Sequence, residues 1–154
     1  MTLGPAAVGS TVLALVIAFA GTSSAAPTVE WNQDRVTELA VELSAAVHNL
    51  HRSFRREPRP PFGSGQARAR HQFADTLRVL RTEARALASQ LESGAGFEET
   101  FPIARRSGVL IRDLRQEGRR MHWGEPLLGL AQRVDELIGQ VAPFYFDAAA
   151  VPAE

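Results

Sequence analysis

Arginine is the residue type in this sequence whose number and spacing indicate a chemical role. All 17 basic residues other than histidine are arginines, and 17 acidic residues balance them, so the formal net charge is zero. The distribution is uneven: nine arginines fall within residues 48–85 and six more within residues 105–120. A guanidinium group presents a planar fork of N–H donors that binds carboxylates and phosphates in a bidentate manner. The two stretches therefore indicate anion binding.

Two histidines one helical turn apart could also do chemistry. His48 and His51 have the i, i+3 spacing with which neighbouring side chains on a helix can share a Zn²⁺ or Cu²⁺ ion. The helical phase, however, places His48 on the surface and His51 at the edge of the buried face, and the surrounding arginines repel cations. The Glu-x-x-His spacing of carboxylate-bridged di-iron bundles is absent. We therefore expect no metal site and no cofactor, with His48 and His51 as the pair that a metal would use.

No motif in the sequence indicates catalysis. The chain has no cysteine, which excludes disulfides, thiolate nucleophiles and thiolate metal sites. It has no glycine-rich phosphate loop and no His-Glu-x-x-His motif. We therefore predict that the protein is not an enzyme.

Four amphipathic segments must position the arginines. Within each one, apolar residues recur every three or four positions, which is the core stripe of a helix packed on one side. The first stripe consists of Val36, Leu39, Leu43, Val47, Leu50 and Phe54. The predicted helices run from about Val29 to Glu57, Gln66 to Glu92, Thr100 to Met121, and Pro126 to Val141.

Proline and glycine set the predicted ends of these helices. Three prolines follow the first helix, and a serine and two glycines follow the second. We expect the third helix to tolerate Pro102 in its first turn, where a missing N–H costs little. We expect the fourth helix to end before Pro143.

The predicted fold class is all-α, an up-down-up-down antiparallel four-helix bundle after an N-terminal signal peptide. Short connections force successive helices to run in opposite directions. The end of the first helix, the start of the second and the turn between the third and fourth then share one end of the bundle. We call the arginines predicted there the arginine pole, and they are the candidate anion- or partner-binding residues: Arg52, Arg55, Arg56, Arg68, Arg70, Arg119 and Arg120.

Aromatic residues concentrate at the opposite end. A fourth helix of about 16 residues spans about 24 Å and is too short to reach that end. The aromatic residues either plug the core there or leave a small pocket for an apolar ligand. They are Trp31, Phe97, Phe101, Phe144, Tyr145 and Phe146. We expect Trp123 to cap the core at the arginine pole.

The N-terminal segment indicates export. Residues 1–26 resemble a signal peptide, with an apolar stretch from Val12 to Ala20 and small residues before a cleavage point. The segment lacks the usual basic residues at its start, so a retained membrane anchor is the alternative. The predicted organisation is a signal peptide at residues 1–26, a bundle at 27–146 and a flexible tail at 147–154. The predicted location is periplasmic or extracellular.

These observations favour a non-catalytic binding or interaction module whose arginine pole meets an anionic ligand or an acidic protein. No feature indicates a specific nucleic acid, and membrane association depends on retention of the N-terminal segment. Two alternatives stay open. One is a periplasmic carrier of a small ligand or metal, which would use the aromatic end or the histidines. The other is a structural envelope component that self-associates.

Overall fold

The computed structural model describes residues 29–58, 65–121 and 123–146, which form four α-helices and no strand. The helices are α1 (Gln33–Arg56), α2 (Gly65–Glu92), α3 (Phe97–Gly118) and α4 (Glu125–Tyr145). The predicted all-α fold with four helices is confirmed for these residues. The predicted signal peptide and the predicted tail lie outside the described residues.

None of the described helices combines the length and the apolar composition that crossing a membrane requires. Each is instead amphipathic and buries one face. All six residues of the stripe predicted for the first helix are at most 5 % exposed. In α2, Leu77 is fully buried beside the predicted core residues Phe73 and Leu80. Burying a side chain of this size stabilises a fold by about 1.5–3 kcal/mol, so these stripes hold the bundle together.

Capping residues move the starts of α1 and α3 away from their predicted positions. The side chain of Asn32 accepts a hydrogen bond from the Arg35 N–H, so α1 begins at Gln33 rather than near Val29. The carboxylate of Glu99 accepts a hydrogen bond from the Gly96 N–H at 2.6 Å, and α3 begins at Phe97 rather than Thr100. Pro102 consequently lies in the second turn of α3 instead of the first.

The predicted end of the fourth helix is wrong. Helix α4 continues through Pro143 to Tyr145, and the Phe146 N–H closes its last turn by donating to the Ala142 carbonyl at 2.8 Å. A proline so close to the end removes a single N–H from the helix, and the buried side chains of Phe144 and Tyr145 hold the turn in place. At 21 residues, α4 is about 31 Å long and reaches the aromatic end.

Aromatic contacts join the helix ends in two groups. The ring of Phe73, near the start of α2, contacts Phe54 of α1 at 4.9 Å and Trp123, just before α4, at 5.0 Å between centroids. At the other end, Trp31 contacts Phe97 of α3 and Tyr145 of α4, at 5.7 and 5.5 Å. These contacts agree with an aromatic plug at one end and with Trp123 as a cap at the other.

The helices do not pack equally against one another. Helix α1 packs along α2 and α4, and α2 packs along α3, but α3 and α4 barely touch. A cleft therefore separates α3 from α4 on one side of the bundle. Residues of the predicted α4 stripe that face this side, such as Ala131 and Ile138, are only half-buried for this reason.

Candidate anion-binding surface

Three arginines of the predicted arginine pole lie together on the last two turns of α1. Arg52, Arg55 and Arg56 are exposed, and their i, i+3 and i+4 spacing makes them neighbours on the helix surface. None of the three forms an ion pair with a carboxylate of the described residues. Their charge also complements the negative end of the helix dipole, an effect worth about 0.3–1 kcal/mol per cation near a helix end. Stability alone would therefore favour cations here.

Arg68 and Arg120 meet in one surface depression, although 52 positions separate them in the sequence. Arg68 belongs to the first turn of α2, and Arg120 lies two residues beyond the end of α3. The depression has a volume of about 660 Å³. Its remaining walls are formed by Gly65, Gln66, Ala69 and Gln72. Two arginines and two glutamines thus line one concave surface.

Arg70 has a structural role instead. It is half-buried, and one of its nitrogens donates to the carbonyls of Phe54 and Glu57, at 2.8 and 3.0 Å. Its guanidinium also lies over the Phe54 ring, 4.4 Å from the centroid. These carbonyls belong to the end of α1, where backbone acceptors lack helical partners. Arg70 therefore caps α1 from α2.

Arg119 faces a different region from Arg120. It is exposed one turn beyond Arg115, and both line the cleft between α3 and α4. The predicted arginine pole is therefore divided among the end of α1, the depression at Arg68, the cap at Arg70 and the mouth of the cleft.

His51 is buried at the interface of α1 and α2, with 8 % of its surface exposed. Its Nδ1 lies 3.3 Å from a guanidinium nitrogen of Arg81. Since arginine only donates, Nδ1 is the acceptor, and the ring proton of neutral His51 belongs on Nε2. Burial lowers the pKa of His51. Four nearby positive groups lower it further, in the order Arg81, Arg55, His48 and Arg78. The ring is held neutral in a region of positive potential.

The structure gives no support to a shared metal at His48 and His51. His48 is exposed, whereas the Nδ1 of His51 is occupied by Arg81. Within residues 29–58, 65–121 and 123–146, no group of three or more potential ligands could hold a metal ion.

Arg78 and Arg81 are functional candidates absent from the predicted arginine pole. Both lie on α2, and Arg81 reaches α1, where its guanidinium nitrogen is 3.3 Å from the Nδ1 of His51. The signal was present in the sequence, because residues 78 and 81 share a helix face and short connections make α1 and α2 neighbours. The arginine pole is defined by distance from the helix ends, and it leaves out Arg78 and Arg81 because both lie near the middle of α2.

Most other interacting arginines bridge helices through carboxylates. Arg106 pairs with Glu83 across α3 and α2, Arg115 with Asp135 across α3 and α4, and Arg133 with Glu42 across α4 and α1. Their N–O distances are 2.8–3.1 Å. In contrast, Arg68 and Arg120 form no such pair among the described residues. The depression therefore keeps its guanidinium groups available to an external anion.

Glu117 lies on α3, three residues before Arg120. Its Oε1 accepts a hydrogen bond from the Thr76 hydroxyl at 3.5 Å, while its buried Oε2 has no partner among the described residues. Burial raises the pKa of Glu117, and the negative charge of Asp113 raises it further. The hydrogen bond from Thr76 and the positive charge of Arg120 act in the opposite direction.

Comparison of the chain with protein-family models, curated proteins and solved structures finds no match. A functional interpretation must therefore rest on the residues themselves. Their geometry offers exposed and concave arginine surfaces, a neutral buried histidine and an apolar cleft.

Proposed function

We propose that the protein is a non-catalytic binding module that holds an anionic ligand or an acidic protein against its arginine pole. The observation that carries this proposal is the convergence of Arg68 and Arg120 in one depression lined with two glutamine side chains. Arg68 belongs to α2 and Arg120 to the turn after α3, so the fold itself brings their charges together.

The chemistry of the depression favours phosphate or carboxylate groups. Each guanidinium can offer two parallel N–H donors, and the amide groups of Gln66 and Gln72 add neutral donors at the walls. Nearby cations, including Arg52, Arg55 and Arg56 on α1, extend the positive potential and would steer anions towards it.

The proposal includes an alternating up-down-up-down order of the helices and export by a cleaved N-terminal signal. The alternating order is supported by Arg70, which joins the start of α2 to the end of α1, and by Gln33, which donates to the carbonyls of Leu91 and Ala95 near the end of α2. The export signal is supported by the apolar composition of residues 12–20. The protein would then meet its partner in the periplasm or outside the cell.

A charge-matched pair of variants tests the proposal. Arg68→Gln/Arg120→Gln removes the two depression charges, and Arg105→Gln/Arg112→Gln removes two exposed charges from α3. Each variant changes the net charge by the same amount, so general electrostatic attraction falls equally. The measurement is the dissociation constant for heparin and for pyrophosphate at several salt concentrations.

We expect the depression variant to lose roughly tenfold or more in affinity for pyrophosphate, since each charged hydrogen bond is worth about 1.5–3 kcal/mol. For heparin, the slope of log affinity against log salt concentration should also become shallower by nearly two, because about two fewer counterions are released. The α3 variant should bind pyrophosphate like the native protein. Equal losses in both variants, or binding that ignores salt, would show that the depression is no specific site.

A further inference from the structure

The cleft between α3 and α4 is separate from the depression of Arg68 and Arg120, and it meets the arginine pole only at Arg119. It has a volume of about 420 Å³, within the range of small-ligand pockets. Its floor consists of core residues of α1 and α2, including Leu50, Leu77 and Leu80. Its walls are Ile111 and Leu114 of α3 and Val134 and Ile138 of α4, and Trp123 closes one end. The space is almost wholly apolar inside.

Charged groups are confined to the mouth of this cleft. Arg115 bridges it by donating from two nitrogens to one oxygen of Asp135, at 3.1 and 3.2 Å. Both side chains remain about half exposed, so this bridge faces water. Arg119 lines the cleft one turn further along α3. The cleft therefore combines an apolar interior with two guanidinium groups and one carboxylate at its edge.

We infer that the cleft binds a fatty acid, with the alkyl chain along the walls of α3 and α4 and the carboxylate at Arg115 and Arg119. The charges of the mouth complement an anionic head, and the interior has no polar group that a polar ligand would need. An alkyl chain matches this apolar interior, and its carboxylate brings one negative charge to a mouth that holds two guanidinium groups and one carboxylate.

The position of Trp123 makes the inference directly measurable. Trp123 lines the cleft, whereas Trp31 lies at the opposite end among Phe97 and Tyr145. In the full chain with Trp31→Phe, the fluorescence comes from Trp123. Dodecanoate brominated on its alkyl chain should quench that fluorescence saturably. The reciprocal variant Trp123→Phe, which keeps Trp31, should show no saturable quenching.

Filling the cleft should abolish binding. Ala131→Leu places a larger side chain on the α4 wall, and Ala86→Leu is the control because Ala86 is a half-buried alanine of α2 outside the cleft. We expect at least a tenfold weaker affinity for dodecanoate in Ala131→Leu and little change in Ala86→Leu. Circular dichroism establishes that both variants are folded.

The head group is tested without altering the interior. Arg119→Gln should weaken dodecanoate binding roughly tenfold and leave dodecanol unaffected, because only the carboxylate uses the guanidinium. Asp135→Asn should strengthen dodecanoate binding, because it releases Arg115 and removes a competing negative charge. These surface variants keep the test decisive if Ala131→Leu does not fold.

Absence of saturable quenching would overturn the inference. So would equal effects of Ala131→Leu and Ala86→Leu, or equal losses of dodecanoate and dodecanol in Arg119→Gln. Sedimentation that shows a dimer in which Trp123 is shielded from brominated dodecanoate would assign the cleft to a second copy of the chain. Because Arg68→Gln/Arg120→Gln leaves the cleft intact, failure of the anion-binding proposal would not affect these results.

Discussion

The guanidinium of Arg70 lies over the ring of Phe54 and donates a hydrogen bond to the carbonyl of the same residue. A second bond from the same nitrogen reaches the Glu57 carbonyl, just beyond the end of α1. A single side chain of α2 thus satisfies the backbone of α1 and covers the aromatic cluster formed with Phe73. Among the arginines of the arginine pole, this one supports the fold.

Replacing Arg70 should therefore cost stability. We expect Arg70→Gln to lower the free energy of unfolding by about 2 kcal/mol, because it removes hydrogen bonds from a charged donor and a cation–π contact. The matched control is Arg68→Gln on the same helix, which is exposed and should change stability by less than about 0.5 kcal/mol. Urea unfolding of both variants is the measurement. Equal stability of the two would contradict the capping role.

His51 should make stability depend on pH. The folded protein lowers the pKa of this ring from its usual value of 6.5, so the unfolded chain binds more protons in the interval between the two values. Stability is then fully present above pH 6.5 and falls as the pH drops from there through the folded pKa. His51→Asn, whose side-chain oxygen can still accept from Arg81, should remove this part of the pH dependence.

The test for His51 is the free energy of unfolding in urea between pH 7.5 and pH 5. His48→Asn serves as the control, because His48 is exposed and has no hydrogen bond with Arg81. It should retain most of the dependence of the native protein, because His48 is only the fourth-largest cause of the lowered pKa of His51. A steep loss of stability that persists unchanged in His51→Asn would place the responsible group elsewhere.

Among the glycines of residues 29–58, 65–121 and 123–146, Gly118 is the one at which an added Cβ atom would press most closely on a neighbour. A Cβ atom there would lie 3.0 Å from the indole of Trp123 and 3.7 Å from the ring of Phe73. The Trp123 N–H also donates to the Gly118 carbonyl at 2.8 Å, so the indole cannot simply retreat. We expect Gly118→Ala to destabilise the protein by about 1–3 kcal/mol, the usual cost of overpacking.

Gly129 provides the comparison for Gly118. It lies in α4 with open space around its Cβ position, and alanine is the better helix former. Gly129→Ala should therefore raise stability by about 0.5–1 kcal/mol. Thermal melts of the Gly118→Ala and Gly129→Ala variants measure both effects. If both substitutions stabilise the protein, the contact between Gly118 and Trp123 is not tight.

The periodicity of apolar residues was enough to predict the helices and most of their buried faces. The spacing of Val36 through Phe54 marks the core face of α1, and each of those residues is buried. Helix ends were harder, because they depend on individual hydrogen bonds. The cap at Asn32 is a local signal, but the persistence of α4 through Pro143 depends on the burial of Tyr145 against residues from other helices.

The candidate site was predictable only in part. The sequence placed Arg68 and Arg120 at one end of the bundle, and the structure brings them into one depression. The sequence alone could not distinguish these two arginines from Arg70, because the capping position of Arg70 between α1 and α2 depends on tertiary packing. Nor could it indicate the cleft, because a stripe predicts which face is apolar but not that α3 and α4 fail to close over it.

The last prediction concerns a buried hydrogen bond at the aromatic end. The hydroxyl groups of Thr100 and Tyr145 lie 2.9 Å apart, and both residues are at most 1 % exposed. Because the Thr100 hydroxyl donates to the Gly96 carbonyl at 2.7 Å, the Tyr145 hydroxyl is the donor to Thr100. The pair joins the start of α3 to the end of α4, beside the ring contact of Phe97 with Tyr145.

The two single substitutions that break this hydrogen bond should lower the free energy of unfolding by different amounts. Tyr145→Phe leaves Thr100 bonded to Gly96 and should cost about 1 kcal/mol, whereas Thr100→Val strands a buried hydroxyl and should cost about 1–3 kcal/mol. With both changes the hydroxyl groups are gone together, so the double variant should lose less than the sum of the two. Denaturant unfolding of all four proteins gives the coupling free energy directly. Strict additivity would mean that Tyr145 donates to a group other than Thr100.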